Sequence, residues 1–199
     1  MNGTTTVSLM GVGGQGILLG AAVLAETASL AGLDVKASEV KGMAQRGGSV
    51  LSTVRFGEHV WSPVSPHADV VIATELLEGI RGLRLLTPRS GTLVCAATTR
   101  ITPGSVLRRE EDYPDDLAGA AAQRGVRLIA VDAEGLAREA GTLRAVNVAL
   151  LGAASVVLPF GEEDWRRGLE AAVPAKILAV NLRAFELGRA AVATQEVES

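Results

Sequence analysis

The sequence predicts an α/β fold, a three-layer, mostly parallel, doubly wound (Rossmann-like) sheet with helices on both faces and a helical C-terminal region. Three observations predict it. An apolar segment runs through a glycine-rich turn into an Ala- and Leu-rich helical stretch, strand-like and helical segments then alternate, and three helical segments close the chain. At 199 residues, with no repeat or linker, we expect one domain spanning 1–199, with an ordered core at 4–193 and a frayed tail at 194–199.

The first predicted unit consists of a strand, a glycine turn, a helix and a second strand. Residues 5–10 are short and apolar, as in a buried strand. Residues 17–30 are helical in pattern, and Gly32 follows as a stop signal. Residues 34–38 begin the second strand. This order is typical of a right-handed crossover between parallel strands.

The next stretch departs from simple alternation. Residues 39–48 are polar and glycine-rich, which predicts a structured loop. Apolar and polar residues alternate over 49–56, which predicts a strand with one partly solvated face. Gly57 and Glu58 predict a hairpin turn that leads into a returning strand at 60–62.

Strand-like and helical segments alternate again after Pro63 and Pro66. The pattern predicts strands at 68–74, 91–97 and 126–131, and helices at 76–86, 133–140, 145–158, 162–173 and 176–193. The helix at 162 begins with three acidic residues, which the helix dipole favours. Residues 98–123 predict no element, apart from a turn and an acidic run.

Composition and charge exclude several classes of protein. A hydrophobic share of 48%, a charged share of 21% and a net charge of -3 are typical of a globular domain. The slightly acidic balance disfavours nucleic acid and anionic membranes as partners. No apolar stretch reaches the roughly 18 residues of a membrane span, and no basic region precedes the first apolar run. We expect a cytoplasmic protein.

The cysteine and histidine counts limit the chemistry of the chain. Cys95 is the only cysteine, which excludes a disulfide framework and an iron–sulfur cluster held by this chain alone. It lies in an apolar strand, so we expect a buried, inert thiol. His59 and His67 flank a Pro-rich turn and are expected at the surface. The sequence therefore predicts no catalytic residue and no metal site.

A glycine-rich turn carries the first functional signal. Residues 11–16 fit the pattern G-x-G-x-x-G between a strand and a helix. Such glycines let backbone amides approach a phosphate, pyrophosphate or carboxylate, and the helix N-terminus adds a positive dipole end. An acidic residue that closes the second strand would indicate NAD, but Asp34 begins that strand and Glu39 lies beyond it. Alternatively, the glycines only permit close packing.

The loop after the second strand carries the second signal. It places Lys41, Gln45 and Arg46 among three glycines, and we expect it to meet the glycine turn at the carboxyl edge of the sheet. Arg46 is suited to a bidentate contact with a phosphate or carboxylate. A solvated surface loop is the alternative. The candidate binding residues are Gly11, Gly13, Gly14, Gln15, Gly16, Lys41, Gln45 and Arg46.

Two asparagines lie inside predicted helices, where Asn is a poor helix former. Asn147 and Asn181 either hydrogen-bond at a helix–helix or subunit contact, or lie at the surface.

Two motifs together carry a resemblance to a known family. GVGGQGILL, followed by an Ala-rich helix and then by SEVKGMAQRGGSVLSTVRFG, resembles the gamma-type domain of 2-oxoacid:ferredoxin oxidoreductases, and within that family the beta subunit of the indolepyruvate enzymes. The likeness continues through ADVVIATELLEGIR, VDAEGLARE, AVNVALLGA and NLRAFELG. It spans about residues 5–190, and the paired motifs in this order are highly specific.

The resemblance implies a non-autonomous subunit. Members of the family oxidatively decarboxylate 2-oxoacids to acyl-CoA and pass the electrons to ferredoxin. The resemblance places thiamine diphosphate and the iron–sulfur (4Fe–4S) clusters on a larger partner subunit, and associates this domain with the coenzyme A side of the active site. It favours arylpyruvates such as indolepyruvate as substrates. A homodimer is expected for the isolated chain.

Two other functions remain open at the level of sequence. One is a stand-alone nucleotide-binding Rossmann-like domain. The other is a structural assembly module in which the glycine turn binds nothing.

Overall fold

The described part of the chain forms a mixed six-stranded sheet with the order β2-β3-β1-β4-β5-β6. The computed structural model describes residues 3–41, 48–101 and 113–197. The strands are β1 (Thr5–Val12), β2 (Asp34–Lys41), β3 (Ser49–Gly57), β4 (Val70–Ala73), β5 (Thr92–Ala96) and β6 (Arg127–Val131). The helices are α1 (Ile17–Leu30), α2 (Leu76–Gly82), α3 (Leu117–Arg124), α4 (Ala133–Ala140), α5 (Val146–Ala154), α6 (Glu162–Ala172) and α7 (Ala175–Val197).

The sheet is parallel on one side and antiparallel on the other. β1 pairs in parallel with β4, β4 with β5, and β5 with β6. β3 is antiparallel to both β1 and β2. The crossover through α1 therefore connects β1 to a strand of the same direction, but β3 lies between the two. The carboxyl ends of β1 and β2 still point to the same edge of the sheet.

Helices cover both faces of the sheet, which confirms the predicted three-layer α/β class. On one face α1, α4, α5, α6 and α7 build the larger apolar cluster, around the fully buried Trp165, Leu24 and Leu150. On the other face α2 and α3 pack Leu83 and Leu117 against β4 and β5. Burial of apolar surface on both faces of the parallel strands explains why these strands read as continuous apolar runs in the sequence.

The predicted returning strand at 60–62 is wrong, and so is the hairpin turn at Gly57 and Glu58. The segment after β3 is a loop whose backbone is held by side chains. The Val60 N–H donates to the Asp34 carboxylate (2.8 Å), a contact that lowers the pKa of Asp34. The Arg55 guanidinium donates to the carbonyls of Ser62 and Val64. These bonds replace a β-ladder, so the apolar residues of the loop form no strand.

Several other predicted bounds differ from those in the structure. β2 runs to Lys41, three residues into the predicted loop, because residues 39–41 pair with residues 50–52 of β3. The helix predicted at 76–86 ends at Gly82. The sequence analysis missed α3, whose N-terminus is capped by the Asp116 carboxylate, an acceptor from the Gly119 N–H (2.7 Å). The last helix continues to Val197, past the predicted start of the frayed tail.

Small residues set the spacing between α5 and α7. A Cβ on Gly152 would overlap the backbone carbonyl of Phe185, and a Cβ on Gly188 would overlap the carbonyl of Ala149. The two backbones are therefore in direct contact. This contact positions the N-terminal ends of α5 and α7, which border the candidate site described below.

Gly152→Ala is expected to destabilise the fold. Helix propensity alone predicts that alanine stabilises a helix relative to glycine by about 1 kcal/mol. A lower free energy of unfolding in the variant would therefore report the close contact and not helix propensity. We expect a loss of about 1–3 kcal/mol in the free energy of unfolding, because the methyl group forces α5 away from Phe185. Urea denaturation measures it. Gly3→Ala, where a Cβ meets no atom within 4 Å, is the control. A stabilised Gly152→Ala protein would contradict the close contact.

Candidate functional site

Three glycines, Gly11 near the end of β1 and Gly14 and Gly16 in the turn after it, are required for different reasons. Gly14 and Gly16 have φ values of 105° and 73°, a left-handed region that L side chains rarely adopt. Gly16 is the N-cap of α1, and no side chain caps this helix. A Cβ on Gly11 would overlap the Thr74 hydroxyl and lie 2.6 Å from Ile17 Cδ1. Around Gly14 the space is open, since a Cβ there would meet nothing within 4 Å.

The side chain of Gln15 fastens the turn to the end of β4. Its Oε1 accepts from the Val12 N–H (2.7 Å) and from the Thr74 hydroxyl (2.8 Å). Its Nε2 donates to the Thr74 carbonyl (3.1 Å). Both polar atoms of the amide are therefore engaged inside the chain, and Gln15 shapes the turn.

The described chain resumes at Gly48, beside the glycine turn. The Gly13 N–H donates to the Gly48 carbonyl (2.9 Å). This hydrogen bond brings the end of the second motif next to the glycine turn, at the edge of the sheet where we expect the two to meet. Lys41 ends β2 at that edge. Gln45 and Arg46 lie outside the described residues.

Two buried carboxylates, which the sequence analysis missed, lie at the start of α2. Glu75 caps this helix by accepting from the Glu78 N–H (2.8 Å), and it also accepts from the Ile101 N–H (3.3 Å) and the Tyr113 hydroxyl. Burial raises the pKa of Glu75, against the opposing effect of these backbone donors. Glu78 accepts from the Ser49 hydroxyl (2.6 Å) and pairs with Arg81 (2.8 Å). Glu78 therefore fixes the start of β3, next to Gly48.

The other side of the glycine turn opens into a cleft of about 780 Å³. Its walls are the turn at residues 14–16, Thr99 and Ile101 after β5, the segment 141–146 before and at the start of α5, and the first two turns of α7. Arg144 and Lys176 are exposed at its rim. We call this depression the basic cleft. No local sequence pattern predicts it, because its walls come from several segments spread over residues 14–181.

Both helical asparagines singled out in the sequence are buried beside the turn or the cleft. Asn147 Nδ2 donates to the Gly16 carbonyl (2.8 Å), which ties α5 to the N-terminus of α1. Asn181 is 4% exposed and lines the basic cleft, and its Nδ2 donates to the Ile177 carbonyl (2.8 Å) of its own helix. Of the two alternatives, the structure thus supports a helix contact for Asn147.

The cysteine and the two histidines lie in the environments that the sequence predicts. Cys95 is fully buried in β5, and burial raises the pKa of its thiol to about 12, so it is inert. His59 and His67 are exposed. Within residues 3–41, 48–101 and 113–197, no cluster of three or more His, Cys, Asp or Glu side chains is arranged to hold a metal ion.

The helices in the described ranges include none with the length and apolar character that crossing a bilayer requires.

The fold is that of small subunits of oxoacid oxidoreductases. The gamma subunit of a keto/oxoacid ferredoxin oxidoreductase from Geobacter sulfurreducens superposes with a TM-score of 0.70 at 21% identity, covering 96% of this chain and 99% of that one. A 2-oxoglutarate:ferredoxin oxidoreductase from Magnetococcus marinus, determined with coenzyme A bound, superposes with a TM-score of 0.74 at 20% identity, over 96% of this chain and 31% of the other. At these identities the likeness shows the fold.

Sequence comparison shows the family. The model of the pyruvate ferredoxin/flavodoxin oxidoreductase family matches residues 6–191. Indolepyruvate oxidoreductase subunit IorB of Thermococcus kodakarensis is 40% identical over 189 residues, covering 92% of this chain and 93% of IorB. Ketoisovalerate oxidoreductase subunit VorA of Methanothermobacter marburgensis is 30% identical over 92% of this chain but only 35% of VorA. The chain belongs to the pyruvate ferredoxin/flavodoxin oxidoreductase family, as the paired motifs indicate.

Gln15→Ala is expected to loosen the glycine turn. The substitution removes the acceptor of the Val12 N–H and the donor to the Thr74 carbonyl, and it leaves the Thr74 hydroxyl with only the longer contact to the Met10 carbonyl (3.4 Å). We therefore expect a loss of about 1–3 kcal/mol in the free energy of unfolding. Denaturant unfolding followed by circular dichroism measures it. Gln123→Ala, at an exposed position of α3, is the matched control and should change stability by less than about 0.5 kcal/mol. Equal effects of the two substitutions would contradict the role of Gln15.

The raised pKa of Glu75 predicts a pH dependence of stability. The folded protein binds the Glu75 proton more tightly than the unfolded chain, so the contribution of this group is greatest below its ordinary pKa of 4.5 and is lost as pH rises through the raised value. Glu75→Gln stays neutral at every pH. We therefore expect the stability of the variant relative to the original protein to improve as pH rises from about 4 to 8. Urea unfolding at several pH values tests this, and parallel profiles would refute it.

Proposed function

We propose that this chain is the small subunit of an oxidoreductase that decarboxylates indolepyruvate or a related arylpyruvate to its acyl-CoA and passes the electrons to ferredoxin. The supporting observation is the 40% identity to an indolepyruvate oxidoreductase subunit over nearly the full length of both chains. The ketoisovalerate relatives match at lower identity, which favours an aromatic over a branched aliphatic substrate.

The chemistry of the reaction belongs to a larger partner subunit in this proposal. Thiamine diphosphate supplies the carbanion chemistry, and iron–sulfur (4Fe–4S) clusters carry the electrons. The residues of this chain do not fit a cluster, because its single cysteine is buried and its thiol has a pKa of about 12. The described part of the chain therefore contributes a wall of the active site and oriented backbone groups, rather than a nucleophile or an electron carrier.

Coenzyme A binds at the boundary between the two subunits in this proposal. Gly11 and Gln15 shape the glycine turn, while Gly13, Gly14 and Gly16 carry the backbone near the ligand. Lys41 at the end of β2, together with Gln45 and Arg46 from the sequence that follows it, supplies charge and hydrogen bonds to the ligand. The uncapped N-terminus of α1 and the open space at Gly14 suit an anionic group.

The assembly implied by this proposal is a complex of the small and large subunits in the cytoplasm, which ferredoxin meets as a whole. The isolated chain is expected to form homodimers. Neither nucleic acid nor a membrane is a partner in this proposal.

A stand-alone dinucleotide-binding domain fits the geometry less well. β2 is separated from β1 by β3, and the Asp34 carboxylate at its start already accepts from the Val60 N–H. The expectation that Glu39 lies beyond the second strand is wrong, because β2 runs to Lys41 and includes it. The inserted strand β3 nevertheless separates Glu39 from β1, so its carboxylate does not lie on the strand next to the glycine turn, where a ribose contact is expected.

Reconstitution tests the proposed function. The purified chain alone should not reduce ferredoxin, whereas the chain mixed with its own larger subunit should do so with indolepyruvate and coenzyme A. Phenylpyruvate, pyruvate and 2-oxoisovalerate complete the substrate panel. Robust turnover by the isolated chain would rule out a non-autonomous subunit, and micromolar binding of NAD in calorimetry would favour the stand-alone domain.

Arg46→Ala separates ligand binding from scaffolding. If Arg46 contacts an anionic group of coenzyme A, the reconstituted complex should assemble normally and show a KM for coenzyme A raised by about tenfold or more. Arg167→Ala, at an exposed position of α6, is the matched control. Unchanged kinetics in both variants would support the assembly module instead.

A further inference from the structure

The basic cleft carries positive charge that the described chain does not neutralise. Arg144 and Lys176 are exposed at its rim, and neither forms an ion pair with any described residue. Glu134, the carboxylate that lines the cleft among the described residues, is engaged by the Thr99 hydroxyl (3.1 Å) and by Arg138 (3.2 Å). The surface thus presents two cations in a chain whose net charge is -3.

An amide side chain adds a polar group to the wall of the cleft. Asn181 is 4% exposed and lines the cleft. Its Nδ2 donates to the Ile177 carbonyl (2.8 Å) of its own helix, which holds the amide in place. An amide oxygen in a cleft wall can accept from an N–H donor that an occupant brings.

The apolar part of the cleft suits a polypeptide. Leu143 and Ile177 are 49% and 38% exposed at its borders, and Leu19 and Val180 lie in its walls. No aromatic side chain lines the described part of the cleft, so a flat ring has no stacking partner there. Exposed aliphatic groups beside charged ones are typical of a surface that another protein covers.

We propose that the basic cleft is the docking site for an acidic, partly apolar segment of the larger subunit. Carboxylates of that segment pair with Arg144 and Lys176, its aliphatic side chains cover Leu143 and Ile177, and a backbone N–H donates to Asn181 Oδ1. This inference rests on the proposed function, since it assumes the larger subunit. It assigns to that subunit the side of the glycine turn that borders the first turns of α5 and α7.

Charge reversal tests the docking site. Arg144→Glu/Lys176→Glu replaces both cations with carboxylates, which repel an acidic segment. We expect the Kd of the complex with the larger subunit, measured by calorimetry, to rise at least about tenfold. Raising the salt concentration should raise the Kd of the original complex and reduce the difference in Kd between the original complex and the variant complex. Both side chains are exposed, so the thermal unfolding of the isolated variant should match that of the original chain.

A matched double variant controls for net charge. Arg167→Glu/Arg183→Glu makes the same change in net charge at exposed positions outside the cleft and should keep affinity within about twofold. Equal weakening in both variants, or in neither, would overturn the docking site while leaving the proposed function intact. Failure of the original chain to bind the larger subunit would overturn the proposed function as well.

Two further outcomes would assign the cleft to another occupant. If the cation reversal abolishes binding of coenzyme A by the isolated chain but leaves the complex unchanged, the cleft holds a small anion and the proposal is wrong. If it instead abolishes a homodimer of the isolated chain and leaves the complex unchanged, the occupant is a second copy.

Cross-linking identifies the docked segment. The sequence holds three lysines, Lys36, Lys41 and Lys176, so a carbodiimide that joins amines directly to carboxylates gives few products. We expect mass spectrometry of the complex to find Lys176 linked to an acidic segment of the larger subunit, and the link to vanish in Lys176→Arg. Absence of any Lys176 link in a complex that forms normally would contradict the docking site.

Discussion

The structure of the candidate site depends on the hydrogen bonds of one amide, that of Gln15. This side chain bonds to Val12 at the end of β1 and to Thr74 just after β4. It thereby joins the carboxyl ends of two neighbouring parallel strands, which is where α/β sheets bind their ligands. The contact requires a glycine at position 11, because any side chain there would occupy the space of the Thr74 hydroxyl. The G-x-G-x-x-G pattern in this chain is therefore partly a packing requirement.

Two further contacts hold the same turn from other directions. Gly13 donates to Gly48, and the Gly16 carbonyl accepts from Asn147. With its neighbours fixed in this way, Gly14 is the position whose surroundings are open. A turn held by several contacts presents its backbone in one geometry, which reduces the entropy lost when a ligand or a partner binds.

The sequence predicted elements well where the signals are local. The bounds of α1 and α4 agree with the structure, because a glycine stop follows α1 and the Asp132 carboxylate caps α4 by accepting from the Gly135 N–H. The insertion of β3 between β1 and β2 had no such signal, since pairing partners are a property of the whole sheet. The loop at 60–62 resembled a strand because its backbone is satisfied by Arg55 and Asp34, which no local pattern reveals.

Sequence patterns predicted one side of the glycine turn as a candidate site but not the other. The paired motifs identified the turn and residues 41–48 as candidates, because both stretches are glycine-rich and lie close in sequence. No local motif contains Arg144, Lys176 or Asn181. The packing of α5 against α7 brings these residues to the turn.

In the proposed assembly, the basic cleft takes the place of a covalent link between domains. In the ketoisovalerate relatives, the matching region is about a third of a longer chain, so covalent linkage keeps it near its neighbours. A domain on a separate subunit loses that effective concentration and obtains its affinity from contacts alone. Under the docking proposal, Arg144, Lys176 and the exposed aliphatic side chains beside them supply those contacts next to the glycine turn.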